Sequence, residues 1–252
     1  MKTFFITFIL STCLTSITFL QAQDYYLIGV EQRIDDARAK GFESGSTSDL
    51  DAVIQQIQNT ENLRNAHWVE YWSAYAIYQR SQVEAYRLQD EEMAKATTEQ
   101  AITILKGLDN KNAEDYALMG LIKGYSLQWK SFTGMAKHSG IAGKWVKRAV
   151  EMDPQCPRTQ YAFGNHDYYK PGIFGGGKKV ESSLSTALAL YKSTPPNPLL
   201  PTWGMDDSYV KLIRYRLKDD RPADALVLLE EALVRYPDHP GLIKIKKETS
   251  SL

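Results

Sequence analysis

The chain has 252 residues, 43% of them hydrophobic, and its 30 basic and 30 acidic side chains balance. With no basic excess to neutralise a phosphate backbone, nucleic acid is excluded as a partner, and the length suffices for one elongated domain with a continuous core. Cys13 and Cys156 are the only cysteines, and His67, His138, His166 and His239 are scattered, so no thiolate cage or histidine pair is expected to hold a metal and no cofactor is implied.

Met1, Lys2 and Thr3 precede a mostly apolar run from Phe4 to Leu20, followed by Gln21-Ala22-Gln23-Asp24. That order of charged start, apolar middle and small residue is the pattern of a secretory signal, with cleavage expected after Ala22 and release across the inner membrane into the periplasm. Hydroxyl residues interrupt the run, among them Ser11, Thr12, Thr15, Ser16 and Thr18, which favours cleavage over a retained anchor. Leu10-Ser11-Thr12-Cys13 loosely follows the box at which bacterial lipoproteins are lipidated, but Thr12 fits it poorly and cleavage there would leave Leu14 to Leu20 on the product. Loss of residues 1–22 would leave a net charge of about −1 and Cys156 as the sole cysteine, expected to be buried and inert.

Residues 24–40 place Tyr26, Leu27, Val30, Ile34 and Ala37 at helical spacing, and Gly41 and Gly45 are expected to break the pattern. Ser48 then opens a helix with Asp51 as a capping-box variant and Leu50, Val53, Ile54 and Ile57 as its buried stripe. These make an N-terminal helical segment over 23–61. Residues 62–88 read as one long helix on which Trp68, Tyr71, Trp72, Tyr75 and Tyr78 form a single ring face, a core stripe whose polar tips could serve a binding edge. Further helices are expected at 91–106, 113–131, 139–152, 157–168, 178–192, 205–218, 221–236 and 239–248, and no alternating β-branched run competes with them.

An Ala-aliphatic pair recurs near helix ends: Ala101-Ile102, Ala149-Val150, Ala187-Leu188 and Ala232-Leu233, the last three running on to Pro154, Pro195 and Pro237. The intervals are 48, 38 and 45 residues, each longer than the roughly 34 of an uninterrupted two-helix repeat. The expected stripes are Ala142, Trp145, Val146, Ala149 and Val150, then Val180, Leu184, Ala187, Leu188 and Tyr191, then Leu226, Leu229, Leu233 and Tyr236. Tyr116-Ala-Leu-Met119-Gly120 and Gln160-Tyr161-Ala-Phe163-Gly164 place a large apolar residue before glycine. At these residues the chain resembles the tetratricopeptide repeat (TPR) superfamily over roughly 62–248. The resemblance implies an all-α, irregular TPR-like α-α superhelix of stacked antiparallel helix hairpins over 62–252, continuous with the N-terminal helices. It also implies a non-catalytic binding or scaffolding role. Trp68-Val-Glu-Tyr-Trp72-Ser-Ala-Tyr75 with Lys170-Pro-Gly-Ile-Phe174-Gly-Gly-Gly177-Lys178-Lys179 further resembles exported helical-repeat proteins, including the periplasmic T-component of some TRAP-type transporters. That likeness implies an envelope or transporter complex as the setting.

Two interruptions carry the remaining signal. Gly172 to Lys179 nearly spells a phosphate-cradling loop, but Lys179 stands where a magnesium-ligating hydroxyl is needed. The favoured reading is a glycine turn that lets Phe174 plug the core between two hairpins; anion binding by backbone donors and lysines is the alternative. The connector from Ser193 to Trp203 is a stiff proline segment, with Leu199, Leu200 and Trp203 expected to fold back on the core. Asn165-His166-Asp167-Tyr168-Tyr169 suits a ligand rim, and no nucleophile with an orienting partner accompanies His166. The candidate binding residues are therefore Trp68, Trp72, Tyr75, Asn165, His166, Tyr169, Phe174 and Lys178, with a protein segment or small molecule as occupant.

Overall fold

The computed structural model describes residues 27–60, 66–195, 197 and 200–250. The expected export signal, the cut after Ala22, Cys13, Tyr26, the start of the third helix and Leu199 lie outside the described residues. Among those residues there are eleven α-helices and no strand, as expected of an all-α chain. Packing divides the chain into two units, the first running to Leu108 with the segment Asn197–Pro201 and the second comprising Asp109–Pro196 and Thr202–Leu252. The division falls after Leu108 because the third helix packs on the first two and the fourth packs on the third, whereas the sequence pattern separates an N-terminal segment at residue 61.

The first unit contains α1 (Val30–Ser44), α2 (Ser48–Gln58), α3 (Ala66–Val83) and α4 (Glu91–Gly107). Helix α3 touches all three others, and this central position puts the ring face in the core, as expected, with every residue from Tyr71 to Gln79 buried. A helix buried all round belongs to a core. Its rings meet edge to face in series, Trp68–Tyr71 at 5.3 Å, Tyr71–Trp72 at 5.4 Å and Trp72–Tyr75 at 5.7 Å, the geometry that aligns a ring's positive edge with its neighbour's negative face. A π-helical turn, Glu84–Leu88, closes α3.

Gly41 does not break α1. It lies inside the helix, where a Cβ would stand 3.1 Å from Val83 Cγ2, so its missing side chain admits Val83 of α3. Gly45 ends the helix in the left-handed region at φ 74°. The Ser48–Asp51 capping box is also corrected: Thr47 is the N-cap without a side-chain bond to the helix backbone, and its hydroxyl donates to Asp51 Oδ2 at 3.1 Å.

The second unit holds α5 (Ala113–Tyr125), α6 (Phe132–Met152), α7 (Pro157–Tyr169), α8 (Val180–Ser193), α9 (Met205–Lys218), α10 (Pro222–Arg235) and α11 (Pro240–Thr249). Pairs α5/α6, α7/α8 and α9/α10 form helical hairpins, and α7 also packs on α5 and α9. A capping box does occur here, at Asn112, whose amide donates to Asp115 Oδ2 at 2.7 Å while Asp115 N donates to Asn112 Oδ1 at 3.1 Å. A 3-10 turn, Ser126–Trp129, shortens α5, and α6 begins at Phe132 rather than 139 because the Ser131 hydroxyl caps it by accepting from Gly134 N.

All four alanines of the recurring pairs are fully buried, while Val150 and Leu233 are only half-buried. The alanine is the contact point because its small side chain lets helices approach. On α10 this rotates the expected stripe: Ala225, Leu228, Leu229 and Ala232 face inward, and Leu226 and Leu233 sit at its edge. Two glycines make matching pinch points. A Cβ at Gly120 would come within 2.3 Å of Val146 Cγ1 across α5/α6, and one at Gly164 within 2.8 Å of Leu184 Cδ2 across α7/α8.

Candidate binding surface on α7 and α9

Pro157 starts α7 at a position whose missing donor costs little, and from there Tyr161, Asn165 and Tyr169 recur every fourth residue along one stripe. On α9, Asp207 and Lys211 take the same spacing. The Tyr161 hydroxyl and the Lys211 ammonium both donate to Asp207 Oδ2. The ammonium also lies 5.7 Å from the ring centroids of both Tyr161 and Tyr169, within cation–π reach.

Burial acts against both charges of this pair, yet it is outweighed. The Lys211 ammonium and the Tyr161 hydroxyl hold the Asp207 carboxyl below its usual range, and the Asp207 carboxylate holds Lys211 above its own. Both therefore stay ionised at neutral pH. Lys211 is 6% exposed, whereas the ring that covers it, Tyr169, is 69% exposed and meets Tyr168 edge to face at 5.1 Å. Gly204, at φ +96°, seats Tyr161 from below: a Cβ there would be 2.6 Å from Tyr161 Cδ1. Trp203 adds an edge contact to Tyr161 at 5.8 Å, and its carbonyl accepts from the Tyr191 hydroxyl. Of the proline connector, Trp203 is folded back as expected, while Leu200 is exposed.

The neighbouring junctions are polar as well. Arg158 of α7 forms a fork on Glu114 of α5, to which the Cys156 thiol also donates at 3.2 Å. Burial and the Glu114 charge push that thiol up to about 12. Between α9 and α11, Arg214 pairs with Glu248 at 3.3 Å, and His239 lies 3.4 Å from Asp206.

Of the residues singled out in sequence, Asn165 and Tyr169 share the α7 stripe. His166 does not: its Nε2 lies 3.0 Å from where a Gly143 Cβ would stand, so the ring packs toward α6. Burial, then the Lys170 charge, lowers its pKa. Trp68, Trp72 and Tyr75 belong to α3 in the first unit, with Trp72 and Tyr75 only 1% and 4% exposed. Sequence reasoning misses Tyr161, Asp207 and Lys211, although Asp207 and Lys211 stand at ion-pair spacing on a helix.

Phe174 and Lys178 occupy the glycine loop, and Phe174 does not plug the core. It is 50% exposed and Ile173 is 84% exposed. The loop closes on itself instead: Pro171 O accepts from Phe174 N at 2.9 Å and Gly176 N at 3.2 Å, and Gly177 N donates to Asp167 O at 3.1 Å. This self-closure holds the tip outward. At the start of α8 the Asp167 carboxylate accepts the Lys179 amide at 2.6 Å, so that backbone donor is already engaged. The protein supplies its own anion at the start of α8.

Among the described residues no group of three His, Cys, Asp or Glu side chains could hold a metal ion, and no helix is long and apolar enough to cross a membrane. No protein-family model matches the chain, and no curated protein sequence matches it. It is similar in structure to a thermophilic TPR protein of Thermus thermophilus, at TM-score 0.52 and 15% identity over 87% of this chain and 100% of that one. A second solved structure, YrrB, described as a TPR protein with an unusual peptide-binding site, aligns at TM-score 0.40 and 16% identity over 83% of this chain and 97% of that one. The fold is TPR-like.

Proposed function

We propose that this chain is an exported, non-catalytic TPR-like binding protein that docks a protein segment across α7 and α9. The observation that carries the reading is the Lys211 ammonium fixed by Asp207 beneath the exposed Tyr169 ring. Such a floor is ordered before any ligand arrives, so little side-chain freedom is lost on contact. Tyrosine also offers a large apolar body with a polar tip, the combination enriched at recognition surfaces. The bridge beneath, in which Lys211 is buried, gives the ring a rigid seat.

The aromatic helix α3 supports a transporter-associated, ligand-lining role less well, because Trp72 and Tyr75 are enclosed by their own unit. The test is photo-crosslinking in the cell envelope from a benzoyl-phenylalanine placed at Tyr169, compared with one at exposed Val234. A discrete adduct formed from position 169 alone, and abolished by adding Lys211→Met, is the expected result. Identical adducts from both positions, or none from 169, would overturn the assignment.

A further inference from the structure

Ile173 and Phe174 are adjacent, exposed and held out on a turn whose shape is fixed from inside. Asp167 receives the amides of Gly177 and Lys179, and the Tyr215 hydroxyl donates to Gly177 O at 3.3 Å. A Cβ at Gly176 would stand 1.8 Å from Lys170 O, so only glycine allows the turn to close. Lys170, Lys178 and Lys179 flank the tip in sequence, and the segment 168–180 contains no acid. The flanking acids are engaged: Asp167 in the turn, and Glu181 with Arg216 and Arg221.

We infer that the Ile173–Phe174 tip docks on an anionic lipid surface, with the two apolar side chains entering the headgroup region and the three lysines resting against phosphates. A protruding pair of apolar side chains requires a soft receiving phase, which a bilayer boundary provides. Lysines flanking such a tip match diffuse negative charge, whereas recognition of discrete carboxylates on a protein favours the paired donors of arginine. Because the turn is already closed, docking orders little additional chain. This inference does not rest on the α7–α9 surface, and neither Tyr169 nor Lys211 takes part.

The experiment is flotation of the full chain with phosphatidylcholine vesicles and with mixed phosphatidylcholine–phosphatidylglycerol vesicles. Binding is expected to the mixed vesicles and to be weak on phosphatidylcholine alone. Each Lys→Gln change at 170, 178 or 179 lowers the partition coefficient about fivefold, and Ile173→Ser/Phe174→Ser removes the loop's share while circular dichroism stays unchanged. A chain carrying Phe174→Trp reports the site directly, through emission quenched by brominated acyl chains beyond the quenching of the parent. Equal binding by the parent and the Ser/Ser variant, insensitivity to lysine replacement, or quenching no greater with Phe174→Trp than in the parent overturns the inference. So does an absence of vesicle binding; if the Ser/Ser variant then also loses a co-purifying protein, the tip has a protein occupant instead.

Discussion

Gly120 offers the sharpest quantitative check on hairpin packing. A Cβ there meets Val146 Cγ1 at 2.3 Å, Val146 N at 3.2 Å and Ala142 O at 3.5 Å, so rotating Val146 relieves only part of the clash and α6 must also move. Gly120→Ala gains about 1 kcal/mol of helix propensity but incurs an overpacking cost of about 1–3 kcal/mol. The backbone contact places it in the upper part of that range, for a net loss of about 1–2 kcal/mol. Val146→Ala, at a fully buried site, deletes two methyl groups and loses about 1.6 kcal/mol of transfer free energy, with more for any cavity left behind. In the double variant the new alanine methyl enters space vacated by Val146, so the pair should recover about 1–2 kcal/mol relative to the sum of the singles. Urea unfolding followed by circular dichroism measures all four corners of the cycle. Strict additivity would refute the argument, because it would mean that Val146 is not what excludes a side chain at position 120.

The Glu114–Arg158 bridge should respond asymmetrically. Arg158→Ala leaves a shielded carboxylate and should destabilise by about 3–5 kcal/mol, whereas Glu114→Gln with Arg158→Met, which removes both charges, should lose clearly less; equal losses in urea titrations would contradict the bridge. With its thiol pushed up to about 12 by burial and the Glu114 charge, Cys156 should resist alkylation at neutral pH and react once the chain is unfolded in guanidinium. Mass-spectrometric mapping gives the answer, and prompt labelling of Cys156 in the native chain would disprove its enclosure.

Helix positions were legible where apolar periodicity met an explicit stop: α9 runs from Met205 to Lys218, and α10 from Pro222 to Arg235, within a residue of the reading from spacing and proline. The recurring alanines were legible as contact points because small size has one dominant use between helices. Gly41 misled because a glycine that ends a helix and one that admits a neighbour look alike until the neighbour, Val83, is in place. Phe174 misled for a related reason: apolar character favours burial, but the closure of the Gly172–Gly177 turn onto Asp167 decides where the ring points. Half of the α7–α9 surface was visible in the Asn165–Tyr169 cluster. The other half depends on Asp207 and Lys211, about forty residues away, and only the stacking of one hairpin on the next brings them together.

That stacking is joined by a specific polar contact at each step between successive first helices. A guanidinium on a carboxylate joins α7 to α5, a phenol on a carboxylate joins α9 to α7, and a second arginine–glutamate pair with a histidine–aspartate contact joins α11 to α9. Repeat arrays built from interchangeable modules can slip, lengthen or lose a module, since every interface accepts every neighbour. In this unit each hairpin carries complementary groups for its own neighbour. Exchanging the order of two hairpins, or excising one, would leave Glu114 or Asp207 facing an unsuitable side chain. The polar junctions thereby specify which hairpin follows which within the second unit.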